Sequence, residues 1–524
     1  MRKISFFVCS LLLLLVASCA PSVHDEAIDA KRMANVYPDN ADAVLPPNIA
    51  PLNFMVCEGG GECVVRIHSD KTQDEIIVNG PKVDIDVDDW HSLLQKAKGG
   101  HLFTDIYAQG NDGKWYKYNT IVNMVAQEPC DEFVTYRLIE PSYVDYEGMC
   151  LVQRNVTDFD ESIIYSNRMQ GEGDNGQCIN CHVAQDYNRN GHSQFHVRQY
   201  NGGTLLIDGK SATKVNLKTD STLASGVYPA WHPKANLIAY SVNETGQVFH
   251  TRDIQKIEVI DYASDLILYD VAANKVYDID NRKDEFETFP AWSPDGRTLY
   301  FASAHYEQQG NDIDAELDSA YQSLKYNVYA RPFNMKTMKF GERRLILDAK
   351  AIGKSAAFPR ISPDGRYMLV ALADYGQFHI WHHSSDLYVQ DLKTNRLSSL
   401  TEANSPYAES YHNWSSNGRW ILFASRREDG NYTRLYMSYF DKQGKAHKPV
   451  LLPQRVPDTY KRLFKSFNVP EWMVRGVDAD MMRLENSLAQ PAKPVQYAGS
   501  ALLVPDQRKA SAATHAASKG NIYK

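Results

Sequence analysis

The stretch Gly176-Gln177-Cys178-Ile179-Asn180-Cys181-His182 sets two thiols three positions apart, with an imidazole directly behind the second. Four chemistries use such a set. A thioredoxin-type dithiol needs its C-x-x-C at the head of a helix in a βαβ unit; here the motif follows the glycine-rich loop 171–176, and no βαβ pattern surrounds it. Zinc needs a second ligand pair, which His192 and His196 supply at i, i+4 spacing, although thiolate zinc competes with oxidation outside the cytosol. A plain disulfide between neighbours is the third reading. The fourth is C-x-x-C-H as a c-type haem attachment: two sulfurs form thioethers with the haem vinyl groups, and the adjacent imidazole reaches the iron from the same side. A random chain with 8 cysteines and 16 histidines in 524 residues contains this pattern only about 0.4% of the time, so chance is a poor account of it. The motif therefore predicts one covalent haem c, anchored by Cys178 and Cys181, with His182 as the proximal ligand. Met169, His192 and His196 are candidates for the sixth ligand. Arg198, two residues beyond His196, is placed to pair with a haem propionate.

Haem attachment and thiol fate both depend on compartment, and the first residues speak to it. Arg2 and Lys3 precede an apolar run over residues 4–16 that ends in Val16-Ala17-Ser18-Cys19. A run of about thirteen residues is too short to span ~30 Å of hydrocarbon, so it predicts a secretory signal. The small residues before Cys19 resemble a bacterial lipoprotein box, which implies that Cys19 becomes the lipidated N-terminus. No later run is long and apolar enough for a membrane span, so the expectation is a body tethered only by lipid. The stretch Ala20-Pro21-Ser22-Val23 carries no acidic residue after Cys19, which favours a periplasmic orientation, on the inner leaflet of the outer membrane.

Apart from Cys9, which lies within the signal run, four further cysteines remain. Cys57 and Cys63 flank Glu58-Gly59-Gly60-Gly61-Glu62 between apolar runs, which predicts a hairpin with the sulfurs facing each other and a Cys57–Cys63 disulfide. Cys130 and Cys150 then pair by elimination. The net charge of −8 argues against nucleic acid as a partner, and 31 tyrosines with many turn residues suit a mainly β protein.

Outside the redox motif one phrase recurs: YPAWHPKANLIAYSVN from Tyr228, FPAWSPDGRTLYFAS from Phe289, FPRISPDGRYMLVAL from Phe358 and YHNWSSNGRWILFAS from Tyr411. Each reads as a strand, a tight turn and a second strand of alternating apolar residues, followed by a shorter strand such as Ser385-Asp386-Leu387-Tyr388-Val389-Gln390-Asp391. Three to four strands per period make one propeller blade, whose faces are buried only by stacking on neighbours around a ring. The phrase W-S-P-D-G-R-x-L-x-F resembles the WD40-like repeat of TolB-type propellers, also found in prolyl oligopeptidases. The copies depart from it at His232-Pro233-Lys234-Ala235, at Ile361 and at Ser415-Ser416-Asn417. Together with the lipoprotein box and the C-x-x-C-H, the repeats resemble a family of exported, haem-motif-bearing TolB-like proteins of Bacteroidetes-type bacteria. That resemblance implies a location and a domain plan, and no reaction.

The expected plan is a signal peptide over 1–19, a polar linker over 20–48 and a small β-sandwich over 49–159 interrupted by one helix near Trp90. A haem segment follows over 160–196, then a propeller of about five blades over 197–455, and a helical, partly disordered tail over 456–524. Trp90 and Trp115 could form a sugar platform, though core packing is the commoner use of such residues. A peptidase needs a G-x-S-x-G elbow and an α/β domain; no such motif is present and only about seventy residues follow Gln454. The leading expectation is an electron carrier, with its haem at the seam between sandwich and propeller and an exported partner on the propeller face. A non-redox envelope scaffold, with the C-x-x-C-H as a disulfide or metal clip, is the alternative. Haem catalysis such as peroxide reduction would require an open iron site.

Overall fold

The structure is a computed structural model that describes residues 26–140, 147–171 and 176–503; Cys19, the signal peptide and the end of the tail lie outside them. The chain forms two compact units. One comprises the chain up to Asp42, Pro51–Gln127 and Gln454–Thr459; the other comprises Ala43–Ala50, Glu128–Pro453 and Tyr460 onward.

In the first unit the strand His101–Gln109 pairs with Cys63–Ser69 on one edge and with Trp115–Lys117 and Ile121–Val125 on the other. Glu75–Asn79 extends the sheet beyond Cys63–Ser69. A helix, Val87–Lys96, starts at Asp86, whose side chain accepts from the Asp88 and Asp89 amides. It buries Trp90, Leu93 and Leu94, which share one face by their i, i+3, i+4 spacing. Trp90 is 1% exposed, so it is core and not a sugar platform. The unit is one sheet with a helix and a small second sheet of Val36–Tyr37, Phe54–Val56 and Lys82–Val83, rather than the expected sandwich. It also takes in part of the expected linker, which forms the strands Ile28–Asp29 and Val36–Tyr37.

The expected disulfides do not form. Cys57 follows the strand Phe54–Val56, whereas Cys63 opens a strand of the other sheet and donates its thiol to the Gly80 carbonyl. The glycine-rich segment is therefore a crossing between sheets and not a hairpin. Cys150 pairs with Leu138 while Phe133 pairs with Asn155, which puts Cys130 beyond the opposite end of this ladder. Five residues of strand span ~17 Å, against the ~7 Å Cα separation a disulfide tolerates. All four are free thiols.

The second unit is a ring of six four-stranded blades. Blades 3 to 6 begin with the inner strands Val227–Trp231, Glu285–Trp292, Ser355–Ile361 and Glu409–Trp414, as the repeats predict. Blade 2 begins with Gln177–Ala184, the strand that carries the C-x-x-C-H, followed by His192–Gln199, Gly203–Asp208 and Ser211–Asn216. Blade 1 takes three strands from before the motif, Phe133–Ile139, Cys150–Asn155 and Glu161–Ser166, and its inner strand, Ser466–Met473, from near the C-terminus. That strand lies between the inner strands of blades 6 and 2 and closes the ring. The expected five blades are thus six: the haem segment is itself part of a blade, and the region expected as tail supplies another inner strand. Beyond it come a helix, Met481–Ala489, and short parallel strands that cover the outer edges of blades 2 and 3, removing open sheet edges.

Every inner strand is bulged at the same level. Pairing slips between Val227 and Ala230, Thr288 and Ala291, Ala357 and Arg360, and Ser410 and Asn413. Asn468 and Glu471 face Arg137 and Thr135 across the same slip, and in blade 2 it falls between Ile179 and His182. The first bulge residue has positive φ in five blades: Tyr228 (47°), Phe289 (53°), Phe358 (55°), Tyr411 (46°) and Val469 (50°). Non-glycine residues take this conformation at a cost, and here it re-aims one side chain per blade.

Candidate functional site in the propeller channel

The re-aimed rings pack against one another around the channel, one pair edge-on and two tilted. Tyr228 to Phe289, Phe289 to Phe358 and Phe358 to Tyr411 have centroids 4.5, 4.2 and 4.3 Å apart. This arc of four aromatic rings covers four blades. In blades 1 and 2 the equivalent positions are Val469 and Asn180, so the gap in the arc is where Cys181 and His182 sit.

Cys178, Cys181 and His182 all border one channel cavity of ≈ 630 Å³, within the ~300–1,000 Å³ usual for ligand pockets. The Cys181 thiol lies close enough to the Tyr228 and Tyr411 hydroxyls to raise their pKa, although burial is the larger cause. His182 is 5% exposed, and neither ring nitrogen makes a well-formed hydrogen bond, although the Val469 backbone lies near enough to favour its charged form slightly. Burial, aided by the charge of Arg137, pushes its pKa down to about 3, so the imidazole is neutral and able to donate a lone pair. Arg137, Arg198, Arg360 and Arg426 line the same cavity, against the carboxyls of Glu140 and Glu471. Glu140 is paired with Lys465 at 3.2 Å, and burial pushes Glu471 up to about 8.

Of the residues singled out in the sequence, the structure brings together Cys178, Cys181, His182 and Arg198, the last in register with Cys178 across the ladder. The others lie elsewhere. His182 pairs with Phe195, so His196 points to the other face of that sheet, where its Nδ1 meets Thr204 Oγ1 at 3.0 Å. His192 is held by Gln185 and Asp208 and stacks on Trp231. Met169 packs against the apolar core shared by blades 1 and 2. None of the three borders the cavity, because a strand alternates its faces and the bulge re-aims only residues 180 and 181. Among the described residues no group of three or more His, Cys, Asp or Glu is placed to hold a metal ion, which removes the geometric support for zinc. The motif lies on the channel wall of blade 2, not at a seam between domains.

One feature had no sequence signal. The hairpin Leu237–Phe249 and Ile257–Asp270 runs far past the blade, and its distal half, with Asn243, Gln247 and Lys256, lines the cavity. It is latched to blade 5. Glu258 accepts from the Tyr375 hydroxyl at 2.7 Å and lies 2.9 Å from His382 Nε2, and Gln255 donates to the Tyr375 hydroxyl. Glu258 and His382 are both buried. Removing one partner of such a pair costs ~3–5 kcal/mol. Glu258→Ala is therefore expected to free the hairpin and raise maleimide labelling of Cys178 and Cys181 in the haem-free chain at least tenfold; an unchanged rate contradicts the latch.

Buried titratable groups also set a pH profile. Burial holds His182, His196, His379 and His412 near pKa 3, while the unfolded chain binds their protons below ~6.5. Stability therefore falls as pH drops below that value. Asp261 is pushed up to about 6, and Asp265 and Glu471 to about 8; their protons leave the unfolded chain near ~4, so stability also falls as pH rises towards 8. Depressed histidines govern the acid side, and raised carboxyls, Glu287 and Glu409 among them, act above it. Urea midpoints of the haem-free chain are expected to peak near pH ~6.5; a flat profile, or one still rising at pH 8, contradicts this.

The sheet order and the closed ring of inner strands define a mainly β protein with a β-propeller. Among solved structures the fold is similar to TolB from Acinetobacter baumannii (14% identity, 71% of this chain and 86% of that one, TM-score 0.38). It is also similar to a hypothetical selenium-binding protein from Sulfolobus tokodaii (7% identity, 68% and 96%, TM-score 0.40) and to Kuenenia stuttgartiensis hydrazine synthase (11% identity, 63% and 47%, TM-score 0.39). No protein-family model and no curated protein matches the sequence.

Proposed function

We propose that the chain is an exported, lipid-anchored c-type haem protein that exchanges electrons with another exported protein docking on the propeller face. The observation that carries this reading is the convergence of Cys178, Cys181 and His182 on one cavity of suitable size. The donor set fits the group. Cys178 and Cys181 would anchor it, each S–H adding across one vinyl double bond with no leaving group and no oxidant. The buried, neutral His182 would hold the iron through a ring nitrogen. Arg137 and Arg198 beside the motif suit carboxylate propionates. When bound, the haem supplies a one-electron iron couple. The chain's own part is to exclude water by means of the aromatic arc and the hairpin, to hold His182 neutral, and to place positive charge around the cavity. Low dielectric and nearby charge are the protein's means of setting a potential. Cys19 is proposed as the lipid attachment site on the periplasmic side.

The test is a haem stain on denatured chain made in cells that possess cytochrome c maturation machinery. Stain that survives denaturation and is lost in Cys178→Ala and Cys181→Ala supports the reading. A colourless chain that unfolds identically with and without reductant overturns it and leaves a scaffold.

A further inference from the structure

We propose that the compartment of the channel beneath the hairpin binds a carboxylate or small oxyanion, with Arg426 as its anchor. The inference rests on reading the channel as the functional site, and not on the haem. Arg426 is 2% exposed, yet among the described residues no carboxylate forms an ion pair with its guanidinium. Its Nε donates to the Ile380 carbonyl at 2.6 Å, Nη1 donates to the Asn431 carbonyl, and one face stacks on Trp381 at 3.5 Å. Two carbonyls and a ring orient a guanidinium without neutralising it. A buried cation left uncompensated is costly, and an anion is what offsets it. Burial pulls its pKa down to about 9, with the charge of Asp429 only partly opposing.

The surroundings do not supply the missing charge. From the hairpin, Lys256 adds a second cation, held by the Asp253 carbonyl. From blade 5, Arg360 adds a third, bonded to the Pro359 carbonyl. The acids that border the cavity are Glu140, already paired with Lys465, and Glu471, largely protonated at neutral pH. A planar guanidinium with one face covered and donors left over matches the fork of a carboxylate or oxyanion. Such a group could come from a free ligand or from a haem propionate.

The test is calorimetric titration of oxalate and of inorganic phosphate into the full mature chain made without haem attachment. The expected result is saturable binding, at least tenfold weaker in Arg426→Lys, which keeps the charge and loses the fork, and unchanged in Arg366→Lys at an exposed site. Should the variant fold poorly, slowed hydrogen exchange over 243–259 and 426–433 on adding oxalate to the unaltered chain is the second readout. In haem-loaded chain, binding that persists assigns the anion to a free ligand; binding lost only there assigns it to a propionate. The absence of both Arg426-dependent binding and exchange protection in the haem-free chain overturns the proposal, whatever the haem stain shows.

Discussion

Truncation of the chain before Ser466 is expected to abolish the closed ring, and Trp472→Ala alone to lower the unfolding free energy by about 3–5 kcal/mol. The cause is topological. The strand Ser466–Met473 is the inner strand of blade 1, which otherwise holds only segments from 133 to 166. Without it the faces of blades 6 and 2 that border it lose their cover. Trp472 is 1% exposed within that strand, so its truncation leaves a cavity at the closure itself. Urea unfolding monitored by tryptophan emission and by far-ultraviolet dichroism checks both. A truncated chain that still unfolds in one cooperative transition would contradict this closure.

His182→Leu is expected to have opposite effects on stability and on function. In the haem-free chain the imidazole is buried with no well-formed hydrogen bond at either nitrogen, and an unsatisfied buried polar group costs ~1–3 kcal/mol. An apolar side chain of similar volume at this position should stabilise the haem-free fold by about that amount and remove its contribution to acid sensitivity. The same change deletes the residue that would hold the iron, so covalently attached haem should shift its Soret band while the stain remains. Strain or unpaired groups retained at a position that the fold would rather fill with hydrocarbon mark function over stability. A variant less stable than the parent in haem-free form would show that His182 is a core residue with unseen partners.

The contrast between what the sequence disclosed and what it hid follows from the same bulge. Four blades were legible because an aromatic residue, a proline or histidine, and a tryptophan or isoleucine recur around it in Tyr228-Pro229-Ala230-Trp231 and its copies. Blade 1 carried the same phrase as Val469-Pro470-Glu471-Trp472, and was missed because its first residue is aliphatic and its other strands lie more than 290 residues earlier. That V-P-x-W was the signal available. Blade 2 was hidden because Asn180-Cys181-His182-Val183 replaces the phrase altogether; chemistry took the place of packing. The anchors and the proximal histidine were readable from spacing, since spacing along one strand is local. His196 and Met169 were misplaced because a sixth ligand is a question of faces and neighbouring strands. The disulfide expectation failed for a related reason: elimination among cysteines ignores register, and register separates Cys130 from Cys150. The latch of Glu258 on His382 joins different blades and leaves no periodic trace.

The most direct measurement is the intact mass of the purified mature chain, compared with that of its Cys178→Ala/Cys181→Ala counterpart from the same haem-competent cells. The expected difference is one haem, beyond the two sulfur atoms that the substitutions remove, with no thiol at 178 or 181 left to alkylate. A difference equal to the substitutions alone, with both thiols of the unaltered chain free to alkylate, would contradict covalent haem in the channel.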